Sequence, residues 1–255
     1  MRELATAIRA SGADKVLVGE IHPTAMGGGS MIQSNPNFWA LALEVRNQGR
    51  AEGQKVLLAI EQQASPDQQD LLRKLNSGKM APGIFEQEWV KAAAENHRRV
   101  GGPERPDWVW QSEARDIVGA REQGFMVAYI DPNRFGGGER ERGMARAIER
   151  ESSAYGDNVI TLARVGGAHS AVQTVADTGE IPLNGWKKPI QASDWQNPAG
   201  RILDEKDDAG TLSIMIDAGE ERSIANPNAP RAESYGVIHP VPHGGWEFIV
   251  PGLTQ

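Results

Sequence analysis

A chain of 255 residues with 39% hydrophobic content is long enough to bury a sizeable core, and 34 acidic against 27 basic side chains, a formal charge of -7, supply no overall attraction to nucleic acid or an anionic membrane. The absence of cysteine excludes disulfides, a thiolate nucleophile and a Cys-ligated metal, so any metal would rest on histidine and carboxylate. No apolar run approaches the roughly 20 residues that span a bilayer, and the N-terminus lacks the apolar centre of a signal peptide; the expectation is a cytoplasmic protein, or one secreted without a classical signal.

Met1 to Ala10 reads as a short surface helix. Val16, Leu17 and Val18 follow without alternation, the pattern of a strand covered on both faces of a parallel sheet, and the run ends in Gly19-Glu20-Ile21-His22. The loop from His22 to Pro36 carries Gly27-Gly28-Gly29, whose spacing is not that of a dinucleotide or phosphate loop. Asn35-Pro36 opens a helix through Glu52 with Phe38, Leu41, Ala42 and Val45 on one face, closed by Gly53. Lys55 to Ile60 is a second buried strand followed by Glu61, and Ser65-Pro66-Asp67 starts a helix bearing Leu71, Leu72 and Leu75. Scattered Gly and Pro around a helical piece, Ile84 to Arg99, mark 77–106 as an insertion that walls or covers a site, with Trp89, Trp108 and Trp110 weighted toward core packing over pocket lining.

Ser112 to Gln123 reads as helix, and Phe125 to Ile130 as the third strand, followed by Asp131. Glu139 to Tyr155 is a helix with Met144, Ala145 and Ile148 inward, Asn158 to Ala163 the fourth strand, and Gly166-Gly167-Ala168-His169 its exit into a helix from His169 to about Asp177. A second insertion is expected over 179–210, a fifth strand over Thr211 to Ile216, a flap over 217–246 and a short strand over Glu247 to Val250. Strands alternating with helices argue one α/β domain over 1–255, a largely parallel central sheet flanked by helices.

Strand ends thus deliver Glu20 with His22, then Glu61, Asp131 and His169. In a parallel sheet these ends share one edge, where ligand sites are built. Each acid or histidine alone is more often a cap, turn or satisfied polar group; four in the same structural position carry more weight. His97, beside Arg98 and Arg99, reads as solvated surface, and His239 and His243 as plain loop residues ahead of members of a flap.

Four stretches also resemble a known family. Val16-Leu17-Val18-Gly19-Glu20-Ile21-His22, Leu57-Leu58-Ala59-Ile60-Glu61, Arg140-Glu141-Arg142-Gly143-Met144-Ala145 and Val165-Gly166-Gly167-Ala168-His169 are similar, in order and spacing, to motifs of the erythromycin esterase and ChaN-like superfamily, with its Tiki-type and toxin-associated bacterial relatives. The resemblance covers about Lys15 to His169. It implies an α/β fold and a polar site in which His22 is the activating base or a ligand, Glu20 and Glu61 its acidic partners, Arg140 an anion-binding or carboxylate-orienting group, and His169 a second base or ligand. In the esterase branch the histidine stands one residue further from the glutamate, and members of the haem-binding branch carry a lipoprotein cysteine that is missing here.

Imidazole between carboxylates suits hydrolysis through an activated water, because the anions favour its protonated form, and two neighbouring glutamates raise one another's pKa toward an acid role. No Gly-x-Ser-x-Gly elbow is present to support a serine hydrolase. The preferred expectation is a hydrolase of a small ester, lactone or amide that needs no cofactor. A metal-dependent form would use His22, His169, Glu20 and Glu61 as ligands. The alternatives are a binder of haem or another small ligand, and a toxin or effector acting on a host protein through the same residues.

Overall fold

The computed structural model describes residues 1–20, 35–132, 137–166, 199–204, 211–216, 238–240 and 246–250. Within them lie the strands β1 (Lys15–Glu20), β2 (Lys55–Gln63), β3 (Phe125–Asp131), β4 (Val159–Gly166), β5 (Thr211–Ile216), β6 (Ile238–Pro240) and β7 (Trp246–Val250). They form one sheet in the order β3-β2-β4-β1-β5-β7-β6, parallel at every junction except the antiparallel β6–β7 pair. The helices are α1 (Arg2–Ser11), α2 (Pro36–Gly49, continued by a 3-10 turn Arg50–Glu52), α3 (Pro66–Asn76), α4 (Pro82–Arg99), α5 (Asp107–Glu122), α6 (Gly137–Ser153) and α7 (Ala199–Asp204).

The apolar runs that do not alternate in sequence are divided by the pleat. Val16, Val18, Val56, Leu58, Ile60, Val127 and Tyr129 face α1 to α5, while Leu17, Ala59, Ile130, Ala163 and Val165 pack with Met144, Ala145 and Ile148 of α6 and Ala199 and Leu203 of α7. From β1 through β2 to β3 the chain moves toward one edge with its helices on the first face. It returns from β3 to β4 through α6 on the second, as right-handed crossovers require. β2 and β3 are therefore neighbours whose chains leave to opposite faces, the kind of switch point at whose carboxyl ends open α/β sheets build ligand sites.

Asn35 caps α2 through its side chain, and Ser65 and Gln68 form a reciprocal capping box on α3. From α3, two amide side chains then cover the exposed edge of β3. Asn76 donates to the Val127 carbonyl at 2.8 Å and accepts from the Val127 N–H at 3.1 Å, and Gln69 donates to the Tyr129 carbonyl at 2.5 Å. They stand in for the missing neighbour strand and block edge-to-edge pairing. Asn76→Ala leaves both Val127 groups without that partner and is expected to cost about 2 kcal/mol in urea denaturation, with a rise in aggregation.

Several expectations need correction. α1 is a surface helix with one core face, on which Leu4, Ala5 and Ile8 are buried. Over 77–106 the chain forms α4, an additional helix between β2 and β3: Phe85, Trp89 and Ala93, spaced by four, make a buried stripe that packs with α3 and α5 and meets Tyr129 of β3 through Trp89, and the Pro and Gly flanking it are end signals, with Pro82 in the first turn. Trp89 and Trp110 are core, whereas Trp108 is 60% exposed. α5 starts at Asp107, five residues ahead of expectation. β2 and β4 each run three residues further, through Gln63 and Gly166, because polar residues at a strand's carboxyl end still pair with its neighbours. The expected insertion at 179–210 contains α7, whose Ala199 and Leu203 are core, and the expected flap at 217–246 contains β6. The Gly27–Gly29 loop and the expected helix from His169 to Asp177 lie outside the described residues.

Candidate active site

Arg140 is the fourth residue of α6 and reaches back to the ends of β2 and β3. Its Nη2 donates to Glu61 Oε1 at 2.6 Å and to Asp131 Oδ2 at 2.9 Å, while its Nε donates to Asp131 Oδ1 at 3.3 Å. One guanidinium thus joins the ends of β2 and β3 in the forked geometry that arginine supplies and lysine does not. Burial opposes the charge on Arg140, but the hydrogen bond and charge of Asp131, followed by the charge of Glu61, outweigh it and hold its pKa above the ordinary value. The second oxygen of Glu61, Oε2, accepts the N–H of Gly166 at 2.5 Å, adding β4 to the cluster. The side chains of Glu61 and Asp131 are 6% and 8% exposed, and that of Arg140 30%.

Glu61 owes its position to an irregularity in β2. Ile60 is level with Tyr129 and Gln63 with Asp131, so two residues, Glu61 and Gln62, stand opposite Ile130 alone. Such bulges are rare in parallel sheets and recur beside functional sites, where they re-aim a side chain.

Of the five expected site residues, Glu61 and Arg140 are in direct contact. Glu20 is at the same rim by backbone register: its Cα partner is Gly166, the residue whose N–H meets Glu61. His22 and His169 lie outside the described residues, as does His243. His239 falls in β6 with its Cα opposite that of Glu247, at the far edge of the sheet, about 19 Å or four strand spacings from β4. His97 is not simply solvated: it is half-buried, its Nε2 donates to the Pro103 carbonyl at 2.6 Å and its ring lies 5.3 Å from Trp110, bracing the turn between α4 and α5. Among the described residues no group of three or more His, Asp and Glu is arranged to hold a metal, and the Glu61–Asp131 pair is neutralised by a guanidinium.

Three residues escaped the sequence reading. Glu141, beside Arg140, is 4% exposed and accepts the Ala199 N–H at 2.9 Å, so the first turns of α6 hold both the strand ends and the start of α7. Arg164, expected beyond the fourth strand, lies within it, 4% exposed, with its guanidinium 5.7 Å from the Phe38 ring. Glu113 sits on the opposite face of the sheet from Arg140. Its Oε1 accepts from Tyr129 Oη at 2.8 Å and Gln62 Nε2 at 2.9 Å, and its Oε2 from Trp89 Nε1 at 3.1 Å. Burial pushes the Glu113 carboxyl above the usual range, against the pull of the Tyr129 and Trp89 hydrogen bonds; the Tyr129 hydroxyl is raised well above its ordinary value by burial and by the charge of Glu113. The signal was available: Val109, Glu113, Ile117 and Ala120 form one helical stripe, an acid among apolar residues.

Fold and rim together define an α/β protein with an arginine-bridged pair of carboxylates at the C-terminal edge of its sheet. No family model matches the sequence, and no curated protein matches it at a significant level. One solved structure, described as "Crystal structure of bacterial protein toxins", is similar at 18% identity with a TM-score of 0.34, over 62% of this chain and 28% of that one; the chain therefore spans little more than a quarter of that protein's length.

Proposed function

We propose that the protein is a hydrolase of a small ester, lactone or amide, of the kind its resemblance to the erythromycin esterase and ChaN-like superfamily implies. The observation that carries this reading is the Arg140 bridge: it gathers Glu61 and Asp131, from strands more than sixty residues apart in sequence, at a rim that also receives Gly166 and the backbone of Glu20. From this rim the sequence runs on to His22, two residues after Glu20, and to His169, three after Gly166.

In the proposed step His22 takes a proton from water, the resulting hydroxide attacks the carbonyl carbon, and the bond to the leaving oxygen or nitrogen breaks as that atom receives the proton back from the imidazolium. Both oxygens of Glu61 accept hydrogen bonds, which suits an orienting carboxylate better than a proton donor. The fork of Arg140 supports its carboxylate-orienting role over direct binding of an oxyanion. A panel of small esters and lactones should be turned over by the wild type, with rates reduced about a hundredfold or more in His22→Ala and in Glu61→Gln. Equal rates in all three proteins would end the proposal, and metal analysis before and after chelation separates a metal-assisted form from a metal-free one.

A further inference from the structure

We propose that Gln62 and Glu113 are positioning residues for Glu61, acting through the backbone of the β2 bulge; the inference rests on the reading that Glu61 belongs to the reaction site. A bulge leaves its extra residue outside the regular ladder, so strand pairing no longer fixes the backbone at the point where Glu61 must be held. Its two residues are instead held from opposite faces of the sheet. Glu61 is drawn toward α6 by Arg140, and Gln62 toward α5 by its 2.9 Å hydrogen bond to Glu113.

Glu113 is fit to be a fixed anchor. It is 7% exposed, and its other two hydrogen bonds come from Trp89 and Tyr129, which are 0% and 1% exposed and meet edge to face at 5.6 Å. A carboxylate in such a place costs desolvation that an apolar side chain of the same shape would not. What the carboxylate supplies and the apolar residue would not is an acceptor shared by the Trp89 N–H, the Tyr129 O–H and the Gln62 amide, the last being the one that reaches the bulge. The chain Trp89/Tyr129–Glu113–Gln62 therefore transmits the rigidity of the α4–α5 layer to the peptide that carries Glu61.

The test uses the full chain, 15N-labelled, with Gln62→Leu as the main variant, Gln62→Ala as the second should the first not fold, and Asn76→Ala as a destabilised control whose bonds meet β3 at Val127, away from the bulge. The readouts are the cross-peak of the Gly166 amide, which binds Glu61 directly, and that of Arg140 Nε–H, which belongs to the guanidinium that holds Glu61 through Nη2 and Asp131 through Nε. Both should move in Gln62→Leu and stay in place in Asn76→Ala. A purely structural role predicts lower thermal stability with both peaks at their wild-type positions, and that result overturns the inference. Where an ester of the panel is turned over, kcat in Gln62→Leu should fall about tenfold or more with KM changed less than twofold; an unchanged kcat also overturns it. Moving peaks in a protein that hydrolyses nothing would leave the positioning role standing and remove the hydrolase reading.

Discussion

Arg140→Ala is expected to lower unfolding stability by about 3 kcal/mol, with any turnover of the ester panel falling about a hundredfold. The substitution leaves the nearly buried carboxylates of Glu61 and Asp131 beside each other without the cation that joins them. The effect stays at the lower end of what breaking a buried pair costs because Arg140 is itself 30% exposed, so water partly solvates the site once it is gone. Arg140→Lys keeps the charge but loses the fork and should cost about 1.5 kcal/mol. If repulsion is the main penalty, Arg140→Ala combined with Asp131→Asn will be more stable than Arg140→Ala alone. If lost packing is the main penalty, the second substitution will only add to the damage. Urea denaturation of the three variants distinguishes the two, and a loss below about 0.5 kcal/mol for Arg140→Ala would mean that the bridge is a surface pair of little consequence.

The sequence revealed the strands and the sheet-end acids because they were local patterns: apolar runs of three to six residues, with a carboxylate at or just after the end of the run in β1, β2 and β3. Glu61 was legible for that reason, by its place after a strand, whereas Arg140 was singled out only by the resemblance of Arg140-Glu141-Arg142-Gly143-Met144-Ala145 to a family motif. That they touch was not legible, because the contact depends on which strands become neighbours, and β2 lies next to β3 on one side and β4 on the other only in the finished sheet. The bulge at Glu61 was hidden for a related reason: nothing in Ile60-Glu61-Gln62-Gln63 shows that Ile130 will face two residues rather than one. The core role of α4 was lost to over-reading Pro and Gly, which mark the ends of an element and not its distance from the core. Glu113 went unnoticed because a charged residue in a helix draws attention only when the apolar stripe it interrupts is traced.

Glu113→Ala is expected to be the most damaging single substitution among these, at about 4 kcal/mol. It removes the shared acceptor of the Trp89 N–H, the Tyr129 O–H and the Gln62 amide, two of them on side chains 1% exposed or less, and leaves a cavity where the carboxylate stood. Glu113→Gln preserves the volume but presents an amide N–H toward one side or the other. Tyr129 and Gln62 can turn to accept from it whereas the Trp89 indole cannot, so the cost should fall to about 1 to 2 kcal/mol. The two variants also separate packing from charge through pH. Because burial raises the folded-state pKa of Glu113, the native protein retains a proton that the unfolded chain has already released. This contribution to stability is fully present below the ordinary glutamate range and is lost as pH rises from there through the raised value. The measurement is the difference between wild type and Glu113→Gln in urea midpoints across pH, which cancels the titration of groups common to both proteins. Relative to the variant, the wild type should lose ground as pH rises through that window. A difference that stays constant, or that grows in favour of the wild type, would mean the three donors hold the carboxylate so well that burial does not govern its proton.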